Sequence, residues 1–417
     1  MKKILFILYT CCILSFPVSA QQIPSFKAND RIVFLGNSIT EGGHYHSYIW
    51  LYYMTHFPNL PLRMYNGGIG GDCVSHMVYR FDSDIKIKKP TYLICSFGMN
   101  DSGFDGYNKP GYDKYANQQV EYAHTEFEKL QRQILADKKI KSVVLLGSPP
   151  YDENVKLKGV EALHGKNETI KRIIEMQAEV AQKRGWGFVN FNTVMCGLNK
   201  QIQLSDSTAT FCGGDRIHPD KDGHMVMAYL FLKAQGLAGQ EIASFQINAT
   251  NRKAMEERNC RISHIKNEND TISFRYLSRS LPFPIDTIPR WGTKGTARDA
   301  IRQIPFMQEM NQEIMKVTDL HGIFRVTIDG IEIGCWSGDE LSKGVNLAEI
   351  TCTPQYQQSL SIMYLNEERC AIEKRLRQYM AMQYVFFKHR GLLFADNKAA
   401  LDAAKAERES HYLVKYL

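Results

Sequence analysis

Past its first twenty residues the sequence has no apolar run approaching eighteen uncharged residues, so no transmembrane helix is expected in the body of the chain. It has no CxxC spacing, and a structural zinc site is not expected. It contains no Gly/Ser-rich or Gln-rich tract and no internal repeat, which sets aside disorder and solenoid architectures. Nor is there a large excess of one charge: 51 Lys and Arg stand against 44 Asp and Glu, a net +7 that falls to about +5 without Lys2 and Lys3. That balance is too mild and too evenly spread for nucleic-acid binding.

What is present reads as globular. With 417 residues, 44% of them hydrophobic and 23% charged, two domains are expected. Lys2 and Lys3 precede an apolar run from Ile4 to Phe16, and Val18-Ser19-Ala20 supplies a small-residue cleavage pattern before Gln21. Residues 1–20 therefore read as a signal peptide, and the mature chain as exported to the periplasm or the exterior. A lipoprotein anchored at Cys11 or Cys12 is disfavoured, because the apolar run continues past both. Export permits disulfides, and Cys196 with Cys212 is the first pair to test. Glycosylation sequons include Asn167, Asn248 and Asn269.

Apolar strand-like runs at 31–36, 62–66, 91–97, 142–147 and 187–191 alternate with helix-like stretches near 45–56, 73–88, 114–138, 166–184 and 220–235. Five such alternations predict a parallel sheet covered by helices on both faces over residues 21–240, with ligands bound beyond the carboxyl ends of the strands. After Gly236 the pattern changes. "TISFRYL" at 271–277 reads as a strand, and "FRVTIDGIEIG" at 324–334 as a hairpin turned at Asp329-Gly330. From about Pro354 to Arg390, Leu365, Ile372, Leu376, Tyr379 and Met380 recur at helical spacing, which predicts a helix packing an apolar stripe on a neighbour. Residues 241–417 are taken as a smaller accessory region of mixed α+β structure.

Four polar, glycine-containing segments follow the strands: Gly36-Asn37-Ser38-Ile39-Thr40, Asn66 to Asp72, Gly98-Met99-Asn100-Asp101, and Asp215-Arg216-Ile217-His218-Pro219. Together, and in this order, they resemble the four blocks of the SGNH or GDSL hydrolases, esterases and acylhydrolases named for a Ser, a Gly, an Asn and a His. The resemblance covers about residues 28–236. It implies a flavodoxin-like α/β/α sandwich with a five-stranded parallel sheet, and ester hydrolysis through an acyl-enzyme without metal or cofactor. The residues suit that chemistry on physical grounds. A serine hydroxyl needs a base during attack, which His218 can supply, while Asp215 can fix the imidazole tautomer. By the family pattern the oxyanion donors are the backbone N–H groups of Ser38 and Gly71 and the side-chain amide of Asn100. One departure is visible: many members have Asp and Leu beside the serine where this chain has Asn37 and Ile39, which bears on loop rigidity and substrate preference.

Blander readings exist for each feature. Ser38 alone would read as a helix N-cap. Gly67 to Gly71 lacks the last glycine of a dinucleotide loop, because Cys73 stands there. His44, His46, His218 and His224 fit no common zinc spacing. Glu41, His44 and Tyr48 are near enough to Ser38 in sequence to line a pocket. The expected protein is an exported serine esterase that removes acyl groups, acetyl foremost, from a carbohydrate, an expectation drawn from the family, the leader and the accessory region. Its partner is an acylated glycan or another small ester, with Trp291 and Trp336 available for sugar stacking. The rivals are a lipid or thioester acylhydrolase on the same core and a glycan-binding protein with a decayed site.

Overall fold

The computed structural model describes residues 22–268, 271–289 and 292–410. The leader expected over residues 1–20 lies outside them, as do Asn269 and Trp291. Short runs of β-branched, leucine and aromatic residues form the first sheet, since such side chains pack well when both faces of a parallel ladder are covered. In chain order the elements are β1 (Arg31–Gly36), α1 (Ser38–Gly42), α2 (His44–His56), β2 (Arg63–Gly68), α3 (Val74–Arg80), β3 (Tyr92–Phe97), α4 (Tyr112–Ala136), β4 (Ser142–Gly147), α5 (Lys166–Arg184), β5 (Gly187–Asn190), α6 (Phe191–Ile202) and α7 (Lys221–Ala234).

The five strands pair in parallel in the order β2-β1-β3-β4-β5. Successive residues serve opposite faces: Ile32, Phe34, Ile94 and Leu146 pack with α2 and α7, while Val33, Leu35, Leu93 and Leu145 pack with α3, α4 and α5. The result is the three-layer α/β/α sandwich, with its strand order reversing between β1 and β3. A crevice forms outside the carboxyl ends at such a reversal. Two local features differ from expectation. The helix expected over 73–88 ends at Arg80 and continues as a π turn (Phe81–Ile85) and a 3-10 turn (Lys86–Lys88), where Arg80 and Asp84 are buried as an ion pair. In addition, α6 begins directly at the end of β5, capped by Asn190 accepting the Thr193 N–H.

The C-terminal region adds β6 (Ala243–Asn248), β7 (Lys253–Arg258), β8 (Cys260–Glu268), β9 (Thr271–Ser278), α8 (Ala297–Ile301), α9 (Phe306–Met310), β10 (Glu313–Thr318), β11 (Ile323–Ile328), β12 (Ile331–Ser337), α10 (Gly338–Lys343), β13 (Val345–Asn346), α11 (Pro354–Ala381) and α12 (Lys398–Arg408). Here a four-stranded sheet runs β13-β10-β6-β7, accompanied by the hairpins β8/β9 and β11/β12. Asp329 and Gly330 turn the second hairpin with φ of 50° and 81°, the left-handed pair that a two-residue primed turn requires. Phe245, Ile247, Met315 and Val317 form a core of its own, which Trp336 joins, so that tryptophan is not on the cavity described below. Yet Phe283, Phe306, Met310 and Met363 belong to the core of the first sheet, fusing the two regions.

On α11 the expected packing is inverted. Leu365, Ile372, Leu376 and Tyr379 are 67, 59, 61 and 50% exposed, whereas Asn366 and Arg377 are buried. The cause lies in what the helix covers. Asn366 Nδ2 donates to Ser47 Oγ at 2.8 Å and to its carbonyl at 3.1 Å, and Arg377 meets the edge strand β2, so polar groups are needed to satisfy polar neighbours. The disulfide expected between Cys196 and Cys212 is also absent, both thiols being free. Each instead takes an amide neighbour: Asn199 Nδ2 lies 3.3 Å from Cys212 Sγ and Asn167 Nδ2 3.5 Å from Cys196 Sγ.

Candidate active site

The end of β1 shows why Ser38 is presented rather than used locally. Asn37 is buried and extended, and its Oδ1 accepts the Ile39 N–H at 3.1 Å, so Asn37 is the cap of α1. Ser38 becomes the first residue of that short helix with its side chain released. Gly36 makes the turn possible, because a Cβ there would lie 2.1 Å from Thr40 Oγ1. Ser38 Oγ stands 2.8 Å from His218 Nε2, and His218 Nδ1 stands 2.5 Å from Asp215 Oδ2. With Nδ1–H donating to the carboxylate, the neutral ring keeps Nε2 as an acceptor for the serine proton.

The segment carrying His218 is fixed by its own backbone. Asp215 Oδ1 accepts the N–H groups of Ile217 and His218 at 2.9 and 2.8 Å, an Asx-type turn that sets the carboxylate against the imidazole. Half-burial works against a charge on Asp215, but the hydrogen bonds from the His218 ring and from these N–H groups hold its carboxyl below the ordinary range. Between them Arg216 sits at φ 71°, and its buried guanidinium donates to the carbonyls of Asp152, Val155 and Val160. That anchorage offsets the strain of a left-handed arginine.

Two further strand ends close on the serine. Gly70 N–H donates to Glu41 Oε2 at 2.6 Å, which ties the loop after β2 to α1. Gly71 follows at φ 79° with open space where a Cβ would be. Asn100 Nδ2 donates one hydrogen to Asp72 O at 3.0 Å, which orients its amide and leaves the other hydrogen available. The N–H groups of Ser38 and Gly71 take no acceptor among the described residues. Asp101 joins the loops after β2 and β3 by accepting the N–H groups of Val74 and Gly98 at 2.7 and 2.8 Å. Buried Lys166 donates to Met99 O, Ser102 Oγ and Gly103 O, three acceptors for the three N–H bonds of an ammonium, although burial pushes it down to about 7.

A cavity of about 510 Å³ opens over Ser38, Asp215 and His218, with Glu41 and Asp220 beside them. Thr293 and Lys374 complete its wall from the C-terminal region, and among the described residues no large apolar side chain lines it. Neither was foreseen. Lys374 lies on α11, whose apolar spacing pointed to the opposite face as the one that packs. Of the residues expected near Ser38, Glu41 is in the cavity, but Tyr48 is buried with its hydroxyl donating to Asp286, and His44 lies ring to ring with His224. His46 stacks on Phe34, and burial pushes it down to about 4, so it stays a neutral packing group. The arrangement can pass a proton from hydroxyl to imidazole as the oxygen bonds to an electrophile, beside unpaired N–H donors for the charge that forms.

Residues 34–226 match the GDSL-like lipase/acylhydrolase family, and residues 360–416 match the diltiazem deacetylase C-terminal helical domain. The solved structure of a gut microbial diltiazem-metabolizing enzyme is similar with a TM-score of 0.91 at 48% identity, covering 94% of this chain and 89% of that one. An acetylxylan esterase of Geobacillus stearothermophilus is 23% identical over 224 residues, 50% of this chain and 95% of its own.

Proposed function

The chain belongs to the GDSL-like lipase/acylhydrolase family and is an esterase of that type, and from this premise we propose an exported serine acetylesterase acting on O-acetylated carbohydrate. The observation that carries the proposal is the series Ser38 Oγ, His218, Asp215, joined at 2.8 and 2.5 Å at the floor of an open polar cavity. Ser38 Oγ attacks the ester carbonyl while His218 Nε2 takes its proton. The oxyanion is met by the N–H groups of Ser38 and Gly71 and by Asn100, His218 returns the proton to the leaving alcohol, and water resolves the acyl-enzyme by the same steps.

The lining favours a short acyl group and a polar alcohol. Glu41, Asp220, Thr293 and Lys374 offer hydrogen bonds to hydroxyls, and the described residues form no apolar channel for a long chain. The name of the acetylxylan esterase supports acetyl on a glycan, and the leader expected at residues 1–20 supports action outside the cytoplasm. A second reading, a small acetyl ester of the diltiazem kind, is favoured by 48% identity to the diltiazem-metabolizing enzyme across both regions. Release of acetate from acetylated xylo-oligosaccharide and from diltiazem, and of the fatty acid from a long-chain acyl ester, by wild type and Ser38→Ala, separates these. Preference for the long chain overturns the acetylesterase; unchanged turnover by Ser38→Ala overturns the nucleophile.

A further inference from the structure

Strand β2 is an outer strand of its sheet, with backbone groups that no neighbouring strand can pair. Helix α11 pairs them with side chains one turn apart. Glu373 Oε1 accepts the Asn66 N–H at 2.7 Å, and Arg377 Nε donates to Gly68 O at 2.9 Å. The same guanidinium grips Asp84 through both terminal nitrogens, each at 2.8 Å. Asp84 also accepts Arg80 Nη1 at 2.6 Å, while Arg80 Nη2 donates to Gly67 O at 2.7 Å and Gly36 O at 3.2 Å, and its Nε holds Asp72 at 2.7 Å.

The backbone atoms gripped in this way are those that flank the oxyanion donors. Gly36 lies two residues before Ser38, Gly67 and Gly68 lead into the loop that ends at Gly71, and Asp72 follows Gly71 while its carbonyl orients Asn100. Resting on the serine esterase reading, we propose that Arg377 and Glu373 are positioning residues for the oxyanion donors. The catalytic unit then includes α11 and does not end near residue 240. Oxyanion stabilisation depends on donors fixed beforehand, and displacements of about an ångström are felt in the rate.

The test uses the full chain, with each variant assayed at a temperature where circular dichroism shows it folded. Arg377→Met lowers kcat on an acetyl ester by about tenfold or more with KM within about twofold, because only transition-state contacts are disturbed. Arg377→Lys recovers part of that loss, and Glu373→Ala shows the same kcat pattern more weakly. Ser47→Ala, which removes a contact of α2 with Asn366 on α11 and leaves Glu373 and Arg377 on β2, leaves kcat unchanged. Combined with Asn100→Ala, the Arg377→Met loss is less than the product of the two single losses, since both act on one oxyanion. Wild-type kcat in folded Arg377→Met, or an equal loss in Ser47→Ala, overturns the proposal. Should Arg377→Met not fold, Glu373→Ala decides in the same way. Activity surviving in Ser38→Ala would instead overturn the nucleophile, whatever the α11 variants do.

Discussion

Two carboxylate-centred clusters at the carboxyl end of the sheet stand in opposite surroundings. Asp215 and His218 meet at 2.5 Å with side chains 50 and 42% exposed, whereas Arg80 and Arg377 meet Asp84 at 2.6 and 2.8 Å with none of the three more than 3% exposed. The first cluster is assembled within four consecutive residues by a turn. The second joins α3, the π turn after it and α11. On the proposed mechanism the groups that exchange protons stand where substrate reaches them, while the groups proposed to hold geometry are dry, where hydrogen bonds to charge are stronger and water does not compete.

The sharpest way to break that division is Asp215→Asn. It is expected to lower kcat by roughly 10⁴-fold, since the wrong tautomer is then favoured, and to move unfolding free energy by less than about 1 kcal/mol, since half-exposed polar contacts add little. Acetate release and urea denaturation on the same sample check both halves. The converse comes from Arg377→Met, which leaves Asp84 buried with fewer partners and is expected to cost about 3 to 5 kcal/mol of stability. A small stability loss there would mean that the cluster is not the brace its burial implies.

Acid separates the clusters further. Burial disfavours the charge on Asp84, but Arg377, Arg80 and Lys88 outweigh it and hold the carboxyl well below its ordinary 3.8. A folded-state value below the unfolded one means that the ionised carboxylate stabilises the native state above about pH 4. That contribution is lost as pH falls from there toward the folded-state value. Unfolding free energy is expected to fall by on the order of 2 kcal/mol on going from about pH 4.5 to about pH 2.5. The fall should be shallower in Arg377→Met, where the folded-state value moves up toward the unfolded one. An identical slope in both proteins would remove Asp84 from the explanation.

The same contrast explains what could be read before folding was considered. The runs at 92–97 and 142–147 announce strands because each is buried on both faces and needs no polar compromise. Ser38, Gly71 and Asn100 could be singled out because each follows a strand, a topology that gathers them along one sheet edge, whereas Asp215 and His218 come after α6 and are read from the resemblance to the family's fourth block. Periodicity also found α11, but a stripe of apolar residues identifies a face and not its surroundings. Arg377 pairs with Asp84 across 293 residues, a contact with no local signature. Helix α6 was missed although Asn190 caps it, because the apolar Phe191 extended the strand pattern by one residue.

The smallest expected effect falls on the residue beside the largest brace. Leu376 is 61% exposed while Arg377 is buried, since successive side chains point about 100° apart around the helix and meet different surroundings. Leu376→Gln keeps helix propensity and loses no buried area, and is expected to change stability by less than about 0.5 kcal/mol with kcat unaltered. Urea denaturation and native mass measure it. A loss above about 2 kcal/mol, the cost of a buried leucine, would mean that a second copy of the chain covers the stripe in solution, and native mass would show the dimer weakened by the substitution. In that case the polar face of α11 serves the active site and the apolar face serves assembly, and Arg377→Met and Leu376→Gln would destabilise the protein by separate routes whose effects add.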